Sequence, residues 1–436
     1  MPAIITKDFR IQNANQFKES FDESADTYYL AIGRPQAFAN DQAFNDGTDT
    51  SPPTPVDSVG SVDYYVYDDL MSAKKITSSN VSAVIPRRNW TTGTTYDYYR
   101  HDYGEINSAG SAIAANSGAT TLHDATFYVM NSTFDVYKCI DNNGDSASTV
   151  EPTGNKTTSV FSTGDSYKWK YMYTLTASEQ ANFMSTDFIH CSTESTDYST
   201  TAGAIENAKV TAGGSSGTNG TYTNVDIRGD GSSGKCTIVV SSNAVTSVTI
   251  TTAGSGYTFA SVLASDIGNV SGADIDFIIS PPGGHATDVI AELGGFFVMM
   301  NVDFSTDESG EFNTSNDFRR IALLRNPTDS TTGATATAST LDATKSITFS
   351  GSPGTFQADE KITQASTGAV GYVVDYNSTT KVLRYIQPQF ANQGIDTNQN
   401  VTAFSGTNTV TGGTSSATGT PSSHDVTPEL TADTGD

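Results

Sequence analysis

One stretch of the sequence has the residue types of a calcium-binding loop. Asp141, Asn143 and Asp145 alternate like the first ligands of such a loop, in which carboxylate and amide oxygens bind the ion. The sixth position is Ser146 rather than the glycine that the sharp turn needs, and the twelfth is Pro152 rather than a bidentate glutamate. We therefore interpret this stretch as a solvated turn.

Two glycine-rich segments imitate sites that hold a nucleophile or a phosphate. Residues 213–217 (GGSSG) have the letters of a nucleophile elbow, but no apolar strand leads into them and no helix follows. Residues 229–235 (GDGSSGK) have the glycine spacing of dinucleotide- and phosphate-binding loops, which bind phosphate because a helix begins directly after the glycines. Here a strand is expected at residues 236–240, and Cys236 stands where such a loop has Ser or Thr. Both segments are interpreted as chance matches in turns.

The remaining titratable residues form no recognisable catalytic pattern. His190 directly precedes Cys191, and neighbouring side chains on a strand point to opposite faces. Carboxylates are so frequent that spacing alone nominates no acid–base pair. The sequence therefore predicts no catalytic, metal-binding or cofactor-binding residue, and we expect no enzyme. The five histidines, which lack metal-ligand spacing, are His101, His123, His190, His285 and His424.

Residues 84–90 (VIPRRNW) combine an arginine pair with a proline and a tryptophan. The chain has 23 Lys and Arg against 48 Asp and Glu, for a net charge of −25, so adjacent arginines are conspicuous. Pro86 favours an extended conformation at Ile85, and an arginine presents a planar fork of donors that suits carboxylates. The favoured interpretation is that Arg87 and Arg88 form an intramolecular salt-bridge cluster that ties a loop to a domain. The alternative is a contact with a partner.

The composition indicates a turn-rich β protein. At 436 residues the chain is long enough for two to four domains. Charged residues make up only 16%, aromatic residues 10%, and long runs of helix-forming residues are absent. We predict a mainly β, multi-domain fold with a few short helices near the N-terminus and inserted β modules.

Charge and hydropathy exclude several classes of partner. The acidic balance argues against nucleic acid and against an anionic membrane surface, because both need a basic footprint. No apolar run approaches the ~20 residues of a membrane span, and the first residues (MPAIITK) lack the pattern of a signal peptide. Cys139, Cys191 and Cys236 are odd in number and far apart, so we expect reduced thiols and folding in a cytoplasm.

Apolar periodicity and turn residues predict the main elements. In the strand at residues 166–175, aromatic and polar residues alternate, so we expect it to be half-buried with its lysines facing solvent. The predicted helices cover residues 8–21 and a segment from Asp57 or Ser61 to about Lys75. The other predicted strands include residues 27–35 and two hairpins, residues 126–130 with 134–140 and residues 368–377 with 381–386.

Several of these fragments, in this order, resemble one family. It is the dimeric baseplate wedge protein that sits between neighbouring wedge subunits of T-even-type contractile-tailed phages. The resemblance covers about residues 1–190 and 281–327, but neither residues 197–280 nor the region after 336. Its fragments are KDFR (7–10), IGR (32–34), PVDSV (55–59), MSAKK (71–75), AVIPRRNW (83–90), YKCID (137–141), GDSYKWKY (164–171) and FRRIALLRNP (318–327).

The resemblance implies a non-enzymatic, homodimeric structural subunit that bridges neighbouring wedge proteins. Its partners would be a second copy and other wedge proteins, with no cofactor, nucleic acid or membrane. Its place would be the tail baseplate of the virion, after assembly in the host cytoplasm. The alternative is a tail-fibre or adhesin-type module contacting host glycans, and a polysaccharide hydrolase is third. The candidate scaffold or interface anchors are Arg34, Pro86, Arg87, Arg88, Trp90 and Trp169.

Changes in amino-acid composition along the chain, together with the resemblance, predict a division of the chain into segments. The last segment is low in complexity and acidic, and we expect it to be a tail held by partners. The predicted segments are an N-terminal α+β wedge domain (1–125), a β domain (126–196), an inserted Gly/Ser/Thr-rich β module (197–280), a return to the core β domains (281–330), a C-terminal β module (336–406) and the tail (407–436).

Overall fold

A computed structural model of the protein describes most of the chain, and it is mainly β. Within the described residues, no helix is long and apolar enough to cross a membrane. The helices there are α1 (Lys7–Ser20), α2 (Ala177–Phe183) and α3 (Val289–Leu293). The described residues are 7–23, 25–38, 48–52, 69–107, 110–154, 160–192, 201–304, 315–329, 332–337, 344–388, 394, 400–426 and 430–431.

The chain divides into two compact units, each described by itself below. Unit 1 comprises Met1–Lys18 and Val81–Met300, and unit 2 comprises Glu19–Asn80 and Asn301–Asp436. The strands of unit 1 are β3 (Val81–Pro86), β4 (Tyr128–Met130), β5 (Asp135–Asp141), β6 (Phe161–Ser162), β7 (Lys168–Thr174), β8 (Phe188–His190), β9 (Ile205–Ser215), β10 (Gly220–Asp226), β11 (Arg228–Gly229), β12 (Lys235–Ser241), β13 (Ala244–Thr252), β14 (Ala260–Ser261), β15 (Ser271–Ile279) and β16 (Phe297–Met300). Those of unit 2 are β1 (Tyr28–Gly33), β2 (Leu70–Ile76), β17 (Arg320–Arg325), β18 (Thr328–Asp329), β19 (Lys345–Ser350), β20 (Lys361–Gln364), β21 (Ala369–Asn377), β22 (Val382–Ile386), β23 (Val410–Gly412), β24 (Thr418–Asp425) and β25 (Leu430–Thr431).

The first core of unit 1 is built on two antiparallel sheets. Their strand orders are β4-β5-β7-β6 and β16-β3-β8. Helix α1 contributes Ile11, which is buried in the same core, and the Arg10 guanidinium lies 5.8 Å from the centre of the Phe296 ring. The predicted hairpin is confirmed, because β4 pairs antiparallel with β5 across a short turn.

The Gly/Ser/Thr-rich region of unit 1 has its own hydrophobic core. Its sheets have the orders β10-β12-β13, β15-β9 and β11-β14. On β12 the inward residues alternate with more exposed ones, so Cys236, Ile238 and Val240 line this core. Side chains with a period of two explain why so polar a sequence still folds here.

Unit 2 contains a three-stranded sheet and a closed barrel. The sheet has the order β17-β1-β2, and the barrel has the order β19-β22-β21-β20-β23-β24. Ile347, Leu383, Tyr385 and Phe404 are buried in the barrel core. Closure removes exposed strand edges, which polar strands of this kind would otherwise present. The predicted hairpin of residues 368–386 is confirmed by the pairing of β21 with β22.

The second predicted helix is wrong where the structure describes it. Residues 53–68 lie outside the described residues, but Leu70–Ile76 is strand β2 rather than the end of a helix. It pairs antiparallel with β1, with Ala73 opposite Ala31. Leu70, Met71 and Ala73 are buried on both faces of the strand, and that burial outweighs the weak helical periodicity of the segment.

The predicted acidic tail is also wrong over most of its described length. Val410–Gly412 and Thr418–Asp425 are the barrel strands β23 and β24, and β24 pairs with β19. The small residues that make this segment low in complexity are needed for packing. A Cβ atom at Gly419 would lie 2.5 Å from the Phe349 ring, closer than side-chain contacts allow. The bounds of the other five segments stay predictions.

Candidate scaffold and interface residues

Arg88 fixes the loop after β3 onto strand β4. Its guanidinium donates to the carbonyl oxygens of Ala125 and His123, the latter at 3.3 Å. Its Cζ lies 4.5 Å from the centre of the Tyr128 ring, a cation–π geometry. All three contacts are inside unit 1, so this arginine joins two segments of the same core.

Arg87 points to a different part of unit 1. Its NH1 donates to the Ser185 carbonyl at 2.9 Å, and its Nε donates to the Asn89 side chain at 3.1 Å. Its backbone N–H donates to the Asp187 carbonyl at 2.7 Å. Within the described residues, neither Arg87 nor Arg88 pairs with a carboxylate. The expected cluster is therefore intramolecular, but its acceptors are carbonyl and amide oxygens rather than salt-bridge partners.

Pro86 and Trp90 flank the arginines and are tied to the same strand. The Tyr128 hydroxyl donates to the Pro86 carbonyl at 2.8 Å, and the Trp90 N–H donates to the Met130 carbonyl at 2.8 Å. The Trp90 indole N–H donates to the Ser148 hydroxyl at 3.1 Å. Because Pro86 ends β3 in an extended conformation, the next four residues run alongside β4 and place both arginines.

Trp169 lies in the centre of the first core. Its side chain has no exposed surface, and its ring stacks on Tyr167 with centroids 5.4 Å apart. Tyr96 contacts the same ring edge-on at 6.0 Å. This position makes Trp169 a packing residue, whereas Trp90 is only partly buried.

Arg34 belongs to unit 2, so the structure does not group it with the other candidates. It follows β1, has a left-handed backbone with φ of 55°, and its side chain is almost fully buried. Its Cζ lies 4.2 Å from the centre of the Phe38 ring, and its backbone N–H donates to the Asp69 carbonyl at 3.1 Å. It is a buried structural residue of the β1–β2 sheet.

The expectation that both lysines of β7 face solvent is wrong for Lys170. Lys170 has no exposed surface, and on the paired strand β5 the opposite residue, Lys138, has none either. Strand β7 is buried on both faces over its middle. Lys168 at its start remains partly exposed and pairs with Asp141 at 3.1 Å. The alternation predicted half-burial, but sheet and helix layers cover both faces.

Sequence reasoning missed the cluster of buried charges around Lys138. Its Nζ donates to the Glu292 carboxylate of α3 and lies 4.7 Å from the centre of the Tyr99 ring. His285 Nε2 lies 3.5 Å from a Glu206 oxygen, and His285 Nδ1 lies 4.0 Å from a Glu292 oxygen. These residues come from four distant parts of the chain, so no local pattern could have found them.

Helix α3 places Glu292 in that cluster. Asp288 accepts from the Ala291 N–H at 2.9 Å and so caps the first turn, and Gly294 ends the helix with a φ of 81°. Burial raises the pKa of the Glu292 carboxyl and lowers the pKa of Lys138, each opposed by the charge of the other. Burial also lowers the pKa of His285 well below its usual value.

The Gly/Ser/Thr-rich region is anchored to the first core by polar contacts. Arg100 makes a bidentate pair with Asp102, at 2.8 and 2.7 Å, and reaches Asp276 of β15 at 2.8 Å. Asn207 of β9 donates to the Ile140 carbonyl of β5 at 2.8 Å. Arg100 is almost fully buried, and its three hydrogen bonds satisfy its charge.

The motif look-alikes are turns and strands in the structure. In the calcium-like stretch, Asp145 pairs with Lys209 at 3.0 Å, and no group of three or more metal-binding side chains is found among the described residues. The phosphate-loop look-alike connects β11 to β12 and is followed by a strand, as expected. A Cβ atom at Gly231 would lie 2.4 Å from the Tyr257 ring, so this glycine makes room for a core aromatic. The nucleophile-elbow look-alike is mostly in β9.

The three cysteines are free and buried. Burial raises the pKa of each thiol, to about 11 for Cys236 and well above the usual value for Cys139. Thiols held in this protonated form react slowly.

The loop after β3 lies in a region whose sequence is similar to known proteins. A family described as bacteriophage T4 Gp8 matches residues 3–146, which include Arg87, Arg88 and Trp90. This part of the chain is similar to that family. A curated relative, the baseplate wedge protein gp8 of Enterobacteria phage T4, is 26% identical over 215 residues. The match covers 43% of this chain and 60% of that relative.

The resemblance to baseplate wedge proteins is therefore confirmed. The Gp8 match contains the loop after β3 and the contacts of Arg88 with Ala125 and Tyr128, whereas the Ser185 partner of Arg87 lies beyond its end. Arg34 also lies inside the match, whereas Trp169 lies beyond its end.

Proposed function

We propose that this chain is a structural subunit of the tail baseplate wedge of a contractile-tailed phage. In this role it has no enzymatic activity, pairs with a second copy of itself and bridges neighbouring wedge proteins in the virion. The observation that carries the proposal is the Gp8 match over residues 3–146, with the related wedge protein of phage T4. Arg87, Arg88 and Trp90, which make residues 84–90 distinctive, all bind groups inside unit 1, as expected of a scaffold protein.

The mass of the purified chain in solution is the first test. We expect a dimer by light scattering, and co-purification with the wedge proteins encoded by the same phage. A trimer would favour the fibre alternative, and a monomer that ignores those wedge proteins would contradict the proposal.

The arginine pair allows the two possible roles of residues 84–90 to be separated. If the pair only braces unit 1, Arg87→Ala with Arg88→Ala lowers the melting temperature, and any loss of assembly follows from that instability. If the pair contacts a wedge partner, the variant melts normally and still fails to assemble. The contacts with Ala125, Ser185 and Tyr128 favour the first outcome. Wild-type behaviour in both assays would reject both roles.

Glycan contact is a second candidate, favoured by a cleft in unit 1. The cleft has a volume of about 670 Å³ and lies between β9 and β13 on one side and the ends of β5 and β7 on the other. Amide, hydroxyl and lysine side chains alternate with apolar ones along it, a mixture that suits sugar hydroxyls. Its lining includes Tyr98, Asn142, Asn143, Lys168, Asn207 and Thr249.

A glycan array probed with the full chain tests this second candidate. We expect binding to a defined set of glycans that is lost in Asn143→Ala, whose exposed side chain lines the cleft. Asn219→Ala, an exposed change outside the cleft lining, serves as the control. An array without signal rejects glycan contact and leaves the wedge role untouched.

A further inference from the structure

The pair of Lys138 and Glu292 has the arrangement of an intramolecular amide cross-link. Lys138 lies on β5 and Glu292 on α3, and the Lys138 ammonium donates directly to the Glu292 carboxylate. The Lys138 side chain has no exposed surface, and that of Glu292 has only 3%. The residues are separated by 154 positions in the sequence, so the contact exists only in the folded chain.

Burial favours the neutral forms of both groups. A buried ion pair can exchange its proton, so that an amine faces a carboxylic acid, and these are the forms that can react. The pKa directions agree, since burial lowers that of Lys138 and raises that of Glu292. The Tyr99 ring covers the amine and helps to exclude bulk water, which would compete for both groups.

A proton carrier lies beside the pair. His285 is 3% exposed, and its Nδ1 is 4.0 Å from the Glu292 oxygen that accepts from Lys138. Its Nε2 is 3.5 Å from Glu206, whose side chain is 19% exposed and connects the cluster to the surface. Both distances exceed a direct hydrogen bond, so proton transfer through His285 requires these atoms to approach more closely. Burial keeps the imidazole neutral, and a neutral imidazole can take a proton and return it.

We propose that Lys138 and Glu292 form an isopeptide bond in the folded chain. The Nζ lone pair forms a bond to Cδ of the protonated Glu292 carboxyl. His285 Nδ1 takes one N–H proton and delivers it to the hydroxyl group, the C–O bond breaks, and one water leaves. One amine and one carboxylic acid become one secondary amide and one water, without a cofactor, oxidant or reductant.

The cross-link encloses the whole Gly/Ser/Thr-rich region in a covalent loop. Strands β9 to β15 all lie between Lys138 and Glu292 in the sequence. A pulling force along the chain would pass through the amide and bypass that region. Covalent closure also constrains the unfolded state, which stabilises the native one.

Intact mass spectrometry of the purified, denatured full chain tests the proposal. We expect a mass lower than the sequence mass by one water, and a proteolytic peptide pair joined at Lys138 and Glu292. On a denaturing gel the cross-linked chain should run ahead of Lys138→Arg. A wild-type mass equal to the sequence mass overturns the proposal, and this measurement does not depend on any variant folding.

Controls separate the cross-link from other losses of water. Asp230 precedes Gly231, and an Asp-Gly pair can lose water by forming a succinimide. That loss would persist in Lys138→Arg, whereas the cross-link would not, and a water loss without the joined peptides overturns the proposal. Lys235→Arg, which changes a surface ion pair of the same unit, should keep the cross-link. His285→Gln should slow its formation in a time course after refolding, while the final loss of one water relative to the sequence mass of that variant stays complete.

Discussion

At the scale of single residues, the guanidinium groups of Arg87 and Arg88 donate hydrogen bonds to backbone carbonyls. The sequence suggested carboxylate partners for Arg87 and Arg88, since the chain is so acidic. In the structure both arginines donate to backbone carbonyls: Arg87 to that of Ser185, between α2 and β8, and Arg88 to those of His123 and Ala125, just before β4. The residue type therefore indicated that Arg87 and Arg88 make strong hydrogen bonds, while the tertiary fold determined which groups accept them.

Replacing Arg88 should destabilise unit 1 more than replacing Arg87. Arg88→Ala removes a charged donor from two carbonyls and a cation–π contact, so we expect a loss of about 2 kcal/mol in the free energy of unfolding. Arg87→Ala should cost about 1 kcal/mol, because one of its two side-chain partners is the exposed Asn89. Urea unfolding followed by tryptophan fluorescence measures both. An equal or reversed order would contradict this account.

Glu360 gives unit 2 a dependence on pH. Its carboxylate accepts from the N–H groups of Thr414 and Ser415 at 3.0 and 2.8 Å, and from Gln357 at 2.8 Å. Burial by itself would raise the pKa of this carboxyl, but the hydrogen bonds from Ser415, Gln357 and Thr414 outweigh it and the pKa is lowered. The unfolded chain thus binds the proton more tightly, so this stabilisation is present above pH ~4.3 and is lost as the pH falls through the folded value.

Glu360→Gln should therefore destabilise the barrel by about 2 kcal/mol at pH 7, because it weakens several hydrogen bonds to a charged acceptor. The difference from wild type should shrink below pH ~4. Denaturant unfolding monitored by hydrogen exchange of the barrel amides, repeated across pH, is the measurement. Asp317→Asn, with a side chain 72% exposed, is the matched control. A difference that stays constant down to acid pH would count against the assigned role.

At the scale of elements, pairing partners decide what a segment becomes. Leu70–Ile76 has a mixed helical periodicity, yet it becomes β2 because β1 offers an edge that buries its apolar side chains. Residues 407–426 have the composition of a tail, yet they provide two of the six barrel strands. In both cases the deciding contact lies far away in the sequence.

Truncation tests the barrel assignment directly. A chain ending at residue 406 lacks β23 and β24, so we expect the amides of β19 to β22 to lose their protection in hydrogen exchange, since an open barrel exposes strand edges. A chain ending at residue 426 keeps both strands and should retain that protection. If the two truncated chains behave alike, the barrel is not closed by these strands.

At the scale of the whole molecule, the chain carries a net charge of −25, which opposes contact between two copies. Two copies repel each other through surfaces of the same sign, and salt screens that repulsion. If the chain forms the proposed dimer, its dissociation constant should fall several-fold as NaCl rises from about 20 to about 200 mM, the range in which the Debye length drops below ~10 Å. Sedimentation velocity measures this. A dimer weakened by salt would instead indicate an interface dominated by opposite charges.

The sequence by itself determined the mainly β class, α1, the hairpins of β4 with β5 and β21 with β22, and the resemblance to baseplate wedge proteins. These depend on short-range periodicity, turn residues and the order of local fragments, all of which can be read along the chain. Only the tertiary structure decided that Lys170 is buried, that β2 is a strand, that the barrel closes with the last strands, and that Lys138 meets Glu292. Those outcomes depend on covering layers and on partners distant in the sequence, such as Ala31 for Ala73 of β2, His424 for Ile347 in the barrel and Glu292 for Lys138. A local pattern carries no signal for such contacts.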